Sequence, residues 1–277
     1  MSHHEDRFAA RNGLTLYEQV WLPEGEPLAA VVVVHGINEH SGRYARLAED
    51  LNRRGYAVYA LDLRGHGRSD GDRAMVRTFD EYLDDVELLV ARVAARQPGK
   101  PVFLFGHSMG GAIVALLSIT RSPNVCGLVL SAPAILIAGG VFPVLRRLAS
   151  LASRIWPTLR ITRMGCRFIS HDQAAVEAFR NDPLVFHGRF PVCTGAEILR
   201  AAKRIQTGAR QITLPLLILH GTGDLVTDPQ GSRLLVARAG SSDKTLRLYT
   251  GLYHEVLSEP EREQVVADLL AWLDDHR

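Results

Sequence analysis

The chain has 277 residues, of which 47% are hydrophobic and 22% are charged, and its formal net charge is only +2. This composition is ordinary for a globular protein and argues against a disordered or fibrous chain. The 32 basic residues are scattered among 30 acidic ones without a long basic run, so nucleic acid is not an expected partner. The three cysteines, an odd number without C-x-x-C spacing, argue against a disulfide framework and indicate a reducing compartment.

Two stretches bear on localisation. Residues 1–11 are polar and lack the apolar region of a secretory signal, so we expect a cytoplasmic protein. Residues 125–145 carry no charge and are long enough to cross a bilayer. Prolines and glycines interrupt this stretch, however, and a strand followed by a turn accounts for it better than a transmembrane helix.

Eight stretches have the pattern of β-strands. The first two form a predicted hairpin, because Asn12-Gly13 between them is a strong turn signal and the second run alternates apolar and polar residues. Most of the others are continuous apolar runs, which are typical of parallel strands buried on both faces. The predicted strands cover residues 5–10, 14–21, 29–34, 56–61, 102–105, 127–131, 214–220 and 245–249.

Helices are predicted between most of these strands. Either Thr78 or Asp80 is expected to cap the helix at residues 81–96. Alternating strands and helices indicate a mostly parallel sheet with helices on both faces. The alternation stops between residues 134 and 206, where helical segments follow one another and no strand is apparent. We therefore predict a core of residues 1–133 and 207–277, with residues 134–206 inserted as a helical cap. The predicted core helices cover residues 43–54, 81–96, 110–118, 229–239 and 261–275.

The segment Gly106-His107-Ser108-Met109-Gly110 is an instance of G-x-S-x-G between a predicted strand and a predicted helix. A turn this sharp leaves no room for side chains two residues before and two residues after the serine, and it strains the serine backbone. Glycine at both positions meets these requirements. The following helix also favours negative charge at its amino terminus. Ser108 is therefore the predicted nucleophile.

A serine nucleophile needs a base within hydrogen-bond reach and a third group that orients the base. Asp224 lies just beyond the strand at residues 214–220, and His254 follows the last strand. The resulting order of Ser, Asp and His along the chain is that of α/β-hydrolases. Asp228 is the main alternative for the acid, but it precedes Pro229 and has the pattern of a helix cap.

Acyl transfer also requires two donors for the oxyanion of the tetrahedral intermediate. The Met109 N–H is the first candidate, because this residue opens the helix after the nucleophile. The Ile37 N–H is the second, because Gly36 lets the backbone turn in the loop after the strand at residues 29–34.

Several histidines near strand ends raise the alternative of a metal site. They follow separate strands, and no carboxylate completes a ligand set, so no metal or cofactor is expected. These histidines are His35, His40, His66 and His220.

Short polar motifs accompany the predicted triad along nearly the whole chain. They are His35-Gly36, Glu39-His40-Ser41-Gly42-Arg43-Tyr44, Asp62, Gly65-His66-Gly67-Arg68-Ser69, Gly106-His107-Ser108-Met109-Gly110-Gly111, Asn181-Asp182-Pro183-Leu184, Asp224 and Tyr253-His254-Glu255. With these motifs the sequence resembles the monoacylglycerol lipases of the α/β-hydrolase superfamily. The sequence departs from the family at Ile37-Asn38, where relatives often carry smaller residues such as Ala-Gly.

The resemblance implies an α/β-hydrolase fold, with a mostly parallel eight-stranded sheet, helices on both faces and a helical cap that acts as a lid over the acyl pocket. It also implies a monoacylglycerol substrate, the triad Ser108, Asp224 and His254, oxyanion donors at Ile37 and Met109, and Glu39 near the glycerol end of the substrate. The departure at Ile37-Asn38 bears on the width of the alcohol-side pocket.

The motifs leave several functions open. A lysophospholipase or a general carboxylesterase would use the same chemistry and differ only in the shape of its pocket. A peptidase of the same fold also remains an alternative, whereas an epoxide hydrolase or dehalogenase would need an aspartate where Ser108 stands. The alternative that is not an enzyme is a ligand receptor on a hydrolase fold.

A basic amphipathic helix is predicted inside the cap. Such a helix can lie in a lipid interface, or it can pack its apolar stripe on the hydrolase core, and both interpretations fit the pattern. The sequence also leaves the oligomeric state open. The apolar stripe consists of Val144, Leu145, Leu148, Leu151, Ala152 and Ile155, and the basic residues are Arg146, Arg147 and Arg154.

Overall fold

The computed structural model describes residues 1–139, 156, 158–162 and 165–277. Within these residues the strands are β1 (Ser2–Ala9), β2 (Thr15–Leu22), β3 (Ala29–Val34), β4 (Tyr56–Leu61), β5 (Val102–His107), β6 (Gly127–Ser131), β7 (Arg160–Thr162), β8 (Phe190–Pro191), β9 (Leu216–Gly221) and β10 (Lys244–Tyr249). Eight of them form one sheet in the order β1-β2-β4-β3-β5-β6-β9-β10. Strand β2 pairs antiparallel with β1 and β4, and the remaining pairs of this sheet are parallel.

Helices lie on both faces of this sheet. The α-helices of the described residues are α1 (Ala45–Arg53), α2 (Asp80–Arg96), α3 (Met109–Thr120), α4 (Gln173–Asn181), α5 (Val192–Gly208), α6 (Pro229–Arg238) and α7 (Arg262–Asp275). Of these, α4 does not cover the sheet and packs instead in a separate small cluster with Ile169 and Val185. The α/β-hydrolase architecture and its eight-stranded, mostly parallel sheet, both predicted from the sequence, are confirmed.

Strand β3 shows how the sheet separates two apolar cores. Successive side chains of a strand point to opposite faces. Val32 and Val34 therefore join the larger cluster under α2, α3, α5 and α6, whereas Val31 and Val33 join the cluster under α1 and α7. The continuous apolar run of β3 follows from this burial on both sides.

The predicted caps of α2 are wrong. The cap position is Phe79, and no side chain next to it caps the helix. Instead, the Phe79 N–H donates to Glu197 Oε2 of α5 at 2.7 Å. A carboxylate from a distant helix thus holds this end of α2, and neither Thr78 nor Asp80 serves as the cap.

The segment between β6 and β9 differs in part from the expected run of helices. It contains a small antiparallel pair formed by β7 and β8, with three and two residues respectively. Strands this short carry too few residues for a visible alternation. Helix α5 packs on α3 and buries Ala201 and Ile205 in the larger core. The division into a core and a cap at residues 134–206 stays a prediction, and the predicted amphipathic helix lies outside the described residues.

The uncharged stretch that begins at residue 125 forms β6, and turns follow it up to residue 139, where the first described range ends. In the ranges that the structure describes, no helix combines the length and the apolar character needed to cross a bilayer.

Candidate active site

Ser108 occupies a sharp turn between β5 and α3. Its backbone has φ 53° and ψ −115°, a conformation that residues other than glycine rarely adopt. A Cβ added to Gly106 would lie 2.4 Å from the Gly110 carbonyl oxygen, and one added to Gly110 would lie 2.1 Å from the Val34 carbonyl oxygen. The helix therefore approaches β3 and β5 too closely for any side chain at these two positions, which is the steric reason for the G-x-S-x-G spacing.

The three residues of the predicted triad lie in one hydrogen-bonded chain. Ser108 Oγ is 2.9 Å from His254 Nε2, and His254 Nδ1 is 2.7 Å from Asp224 Oδ2. All three side chains are buried. The arrangement places an imidazole nitrogen where it can accept the serine proton, with a carboxylate behind the ring.

Asp224 receives donors on both of its carboxylate oxygens. Oδ1 accepts from the backbone N–H groups of Val226 at 2.7 Å and Thr227 at 3.0 Å. Oδ2 accepts from Thr227 Oγ1 at 2.8 Å and faces His220 Nε2 at 3.1 Å. Burial alone would raise the pKa of Asp224, but attraction to His254 and the hydrogen bonds from both histidines outweigh burial and hold this pKa well below its usual range.

Asp228 does not take part in this chain of contacts among the described residues. It caps α6, as predicted, because its Oδ1 accepts from the Gln230 N–H at 2.9 Å and Pro229 occupies the first turn of the helix.

The loop after β3 passes directly against the serine. A Cβ added to Gly36 would lie 3.1 Å from Ser108 Cβ. Ile37 follows in this loop and is buried, and Met109 is the first residue of α3. The first N–H groups of a helix, that of Met109 included, have no acceptor within the helix.

Glu39 lies in a buried polar cluster behind the loop. Its Oε1 accepts from the Gly36 N–H at 2.5 Å and from Tyr44 Oη at 3.0 Å, and its Oε2 accepts from Arg43 at 2.9 Å. Arg43 also forms a two-point ion pair with Glu255. Three donors thus use most of the acceptor positions of the Glu39 carboxylate, which favours a role in bracing the loop over direct contact with substrate.

The histidines that raised the question of a metal site have separate partners. His35 Nε2 accepts from the Leu63 N–H, His40 pairs with Asp182 at 2.9 Å, and His220 faces Asp224. Within the described part of the chain, no group of three potential ligands has the geometry of a metal site.

Sequence reasoning did not assign a role at the site to His220 or Thr227. His220 Nδ1 lies 2.7 Å from Ser232 Oγ, so its other nitrogen can be held towards Asp224. The sequence gives only a weak indication of this role, because His220 stands immediately before the glycine that ends β9 and close to the predicted acid.

Known proteins resemble this chain along nearly its whole length. The sequence profile of the family described as "Serine aminopeptidase, S33" matches residues 25–261. A monoacylglycerol lipase of Mycolicibacterium smegmatis is 38% identical over 98% of this chain and 97% of its own length. The human monoglyceride lipase is 37% identical over 90% of this chain and 82% of its own length. The crystal structure of a Paleococcus ferrophilus monoacylglycerol lipase superposes with a TM-score of 0.84 at 32% identity, and each chain is covered completely. The chain therefore belongs to the monoacylglycerol lipase family of the α/β-hydrolase superfamily and is an ester hydrolase.

Proposed function

We propose that this protein hydrolyses monoacylglycerols to a free fatty acid and glycerol, with an acyl-enzyme intermediate on Ser108. The observation that carries the proposal is the hydrogen-bonded chain from Ser108 through His254 to Asp224. Relatives named monoacylglycerol lipase along nearly the full length of the chain support the choice of substrate.

In the proposed mechanism, Ser108 Oγ attacks the ester carbonyl while its proton passes to His254 Nε2. Asp224 holds the imidazole in the required tautomer and stabilises the imidazolium. His254 then gives its proton to the departing glycerol oxygen, and the acyl group remains on the serine. A water molecule, activated by the same histidine, releases the fatty acid and restores Ser108.

The backbone N–H groups of Ile37 and Met109 are the proposed oxyanion donors. Both flank Ser108, one in the loop that carries Gly36 and the other at the start of α3. The amino terminus of α3 adds a favourable dipole for the negative oxygen. Glu39, predicted from the resemblance to lie near the glycerol end, is proposed to act mainly by fixing this loop through the Gly36 N–H.

Residues 134–206 are proposed to form a cap over the acyl pocket, and the protein is proposed to be cytoplasmic with peripheral contact to lipid surfaces. The basic amphipathic pattern within this segment supports lipid contact. If the proposal holds, anionic vesicles should bind the protein more strongly than neutral ones, because each arginine near such a surface contributes about 1 kcal/mol. Equal binding to the two kinds of vesicle would remove this part of the proposal.

The substrate is tested by measuring hydrolysis of monoolein, diolein, triolein and lysophosphatidylcholine at matched interfacial presentation. We expect the fastest turnover for monoolein. Faster hydrolysis of triolein or of the lysophospholipid would replace the proposed substrate, and absence of turnover on all four esters together with a chromogenic acyl ester would support a receptor.

A further inference from the structure

Asn38 follows Ile37 in the loop beside the nucleophile, and its backbone has φ 66°. Glycine adopts this left-handed region most readily, and asparagine is among the few other residues that tolerate it. The path of the loop therefore requires a residue that accepts a positive φ. It does not require the amide side chain that Asn38 carries.

The amide of Asn38 is buried without a partner for its oxygen. Asn38 is only 3% exposed, and among the described residues its Oδ1 has no hydrogen-bond partner. The backbone carbonyl oxygen of the same residue has a partner, because it accepts from the Phe186 N–H at 2.8 Å. Native proteins leave few buried polar atoms unpaired, since an unpaired amide oxygen is unfavourable in the protein interior. A bound ligand with a hydrogen-bond donor would satisfy this oxygen.

Asn38 lines a cavity of about 60 Å³. The cavity can hold a hydroxymethyl group or a few water molecules. Its walls combine the apolar side chains of Ile169, Phe179 and Phe186 with the polar side chains of Asn38 and His187. One ring nitrogen of His187, Nε2, faces the Asp182 carbonyl oxygen at 3.3 Å. The Asn38 amide, with its unpaired oxygen, can therefore orient a small polar ligand here.

We propose that Asn38 is a specificity-determining residue whose amide hydrogen-bonds a free hydroxyl group of the leaving alcohol. This inference rests on the proposed function, because the adjacent Ile37 N–H is the proposed donor to the ester oxyanion and neighbouring Cα atoms are only about 3.8 Å apart. An amide both donates and accepts, as a hydroxyl does. An ester of a simple alkanol offers nothing to this amide, so Asn38 favours esters of polyols.

The test compares monoolein with ethyl oleate, which carries the same acyl group on an alcohol without a free hydroxyl. The variant is Asn38→Gly, since glycine keeps the left-handed backbone and removes only the amide. The kcat/KM ratio of monoolein to ethyl oleate should fall about tenfold, the loss of roughly one hydrogen bond. The control Asn12→Gly, in the exposed β1–β2 turn, should leave this ratio unchanged.

Thermal unfolding separates a binding role from a structural one. Asn38→Gly removes an unpaired buried oxygen, so its melting temperature should not fall. A lower melting temperature with equal losses on both esters would make the amide structural and overturn the inference. If the wild-type enzyme hydrolyses monoolein and Asn38→Gly leaves the ratio of monoolein to ethyl oleate unchanged, the role of Asn38 is overturned and the proposed function stands. A wild-type enzyme that hydrolyses ethyl oleate but not monoolein would overturn the proposed function as well.

Discussion

Asp224→Asn should lower kcat by a factor on the order of 10⁴ while the protein stays folded. The contacts of Asp224 fix the orientation of the new amide. Because the Val226 and Thr227 N–H groups both donate to the Oδ1 position, the amide oxygen must occupy that position and the NH₂ group must take the place of Oδ2. The NH₂ group then faces His254 Nδ1, which is 2.7 Å from Oδ2 in the native enzyme.

An NH₂ group at this place donates to His254 Nδ1 and thereby forces the ring proton onto Nε2. The protonated Nε2 then faces Ser108 and cannot accept its proton, so the base is lost without any change of shape. Hydrolysis of a water-soluble chromogenic ester measures the effect. Asp228→Asn is the matched control, since asparagine caps a helix as well as aspartate does, and its kcat should stay within about twofold of wild type. A larger loss of kcat in Asp228→Asn than in Asp224→Asn would contradict the assignment of Asp224 as the acid of the triad.

Two further predictions concern stability. Burial lowers the pKa of His66 to about 3 and, together with His254, the pKa of His107 to about 4. The unfolded chain takes up protons at these histidines below pH 6.5, whereas the folded chain does not. The free energy of unfolding should therefore fall as the pH is lowered from about 6.5 to 4, by up to ~1.4 kcal/mol per pH unit for each histidine. Urea unfolding that is independent of pH in this range would contradict this prediction. Gly110→Ala should destabilise the protein by about 3 kcal/mol or more, because its Cβ would lie 2.1 Å from the Val34 carbonyl oxygen. In Gly165→Ala the new Cβ meets no described atom closer than 3.4 Å, so the free energy of unfolding should change by less than about 0.5 kcal/mol. Similar melting temperatures for the two variants would count against the close packing of α3.

The sequence predicts features that depend on local sterics and on the direction of strands. The turn at Ser108 could be predicted because the spacing of its glycines reflects a collision with the neighbouring backbone. Asp224 and His254 could be paired because parallel strands bring their carboxyl ends to one edge of the sheet. Neither step requires knowledge of how side chains pack.

Features that depend on long-range side-chain orientation could not be predicted. Glu197 reaches the start of α2 from a position 118 residues later in the chain. The Glu39 carboxylate accepts from Arg43, and the side chain of Arg43 is held in turn by Glu255, 212 residues later in the chain. His220 belongs to the same class, because whether it faces Asp224 depends on the buried Ser232 hydroxyl of α6.

Hydrolysis of monoolein by Ser108→Ala is the most direct measurement of whether Ser108 is the nucleophile of a monoacylglycerol hydrolase. In a variant shown to be folded by thermal unfolding, kcat should fall by a factor on the order of 10⁶ relative to wild type. Monoolein hydrolysis by folded Ser108→Ala at a rate near that of the wild-type enzyme would show that Ser108 is not the nucleophile.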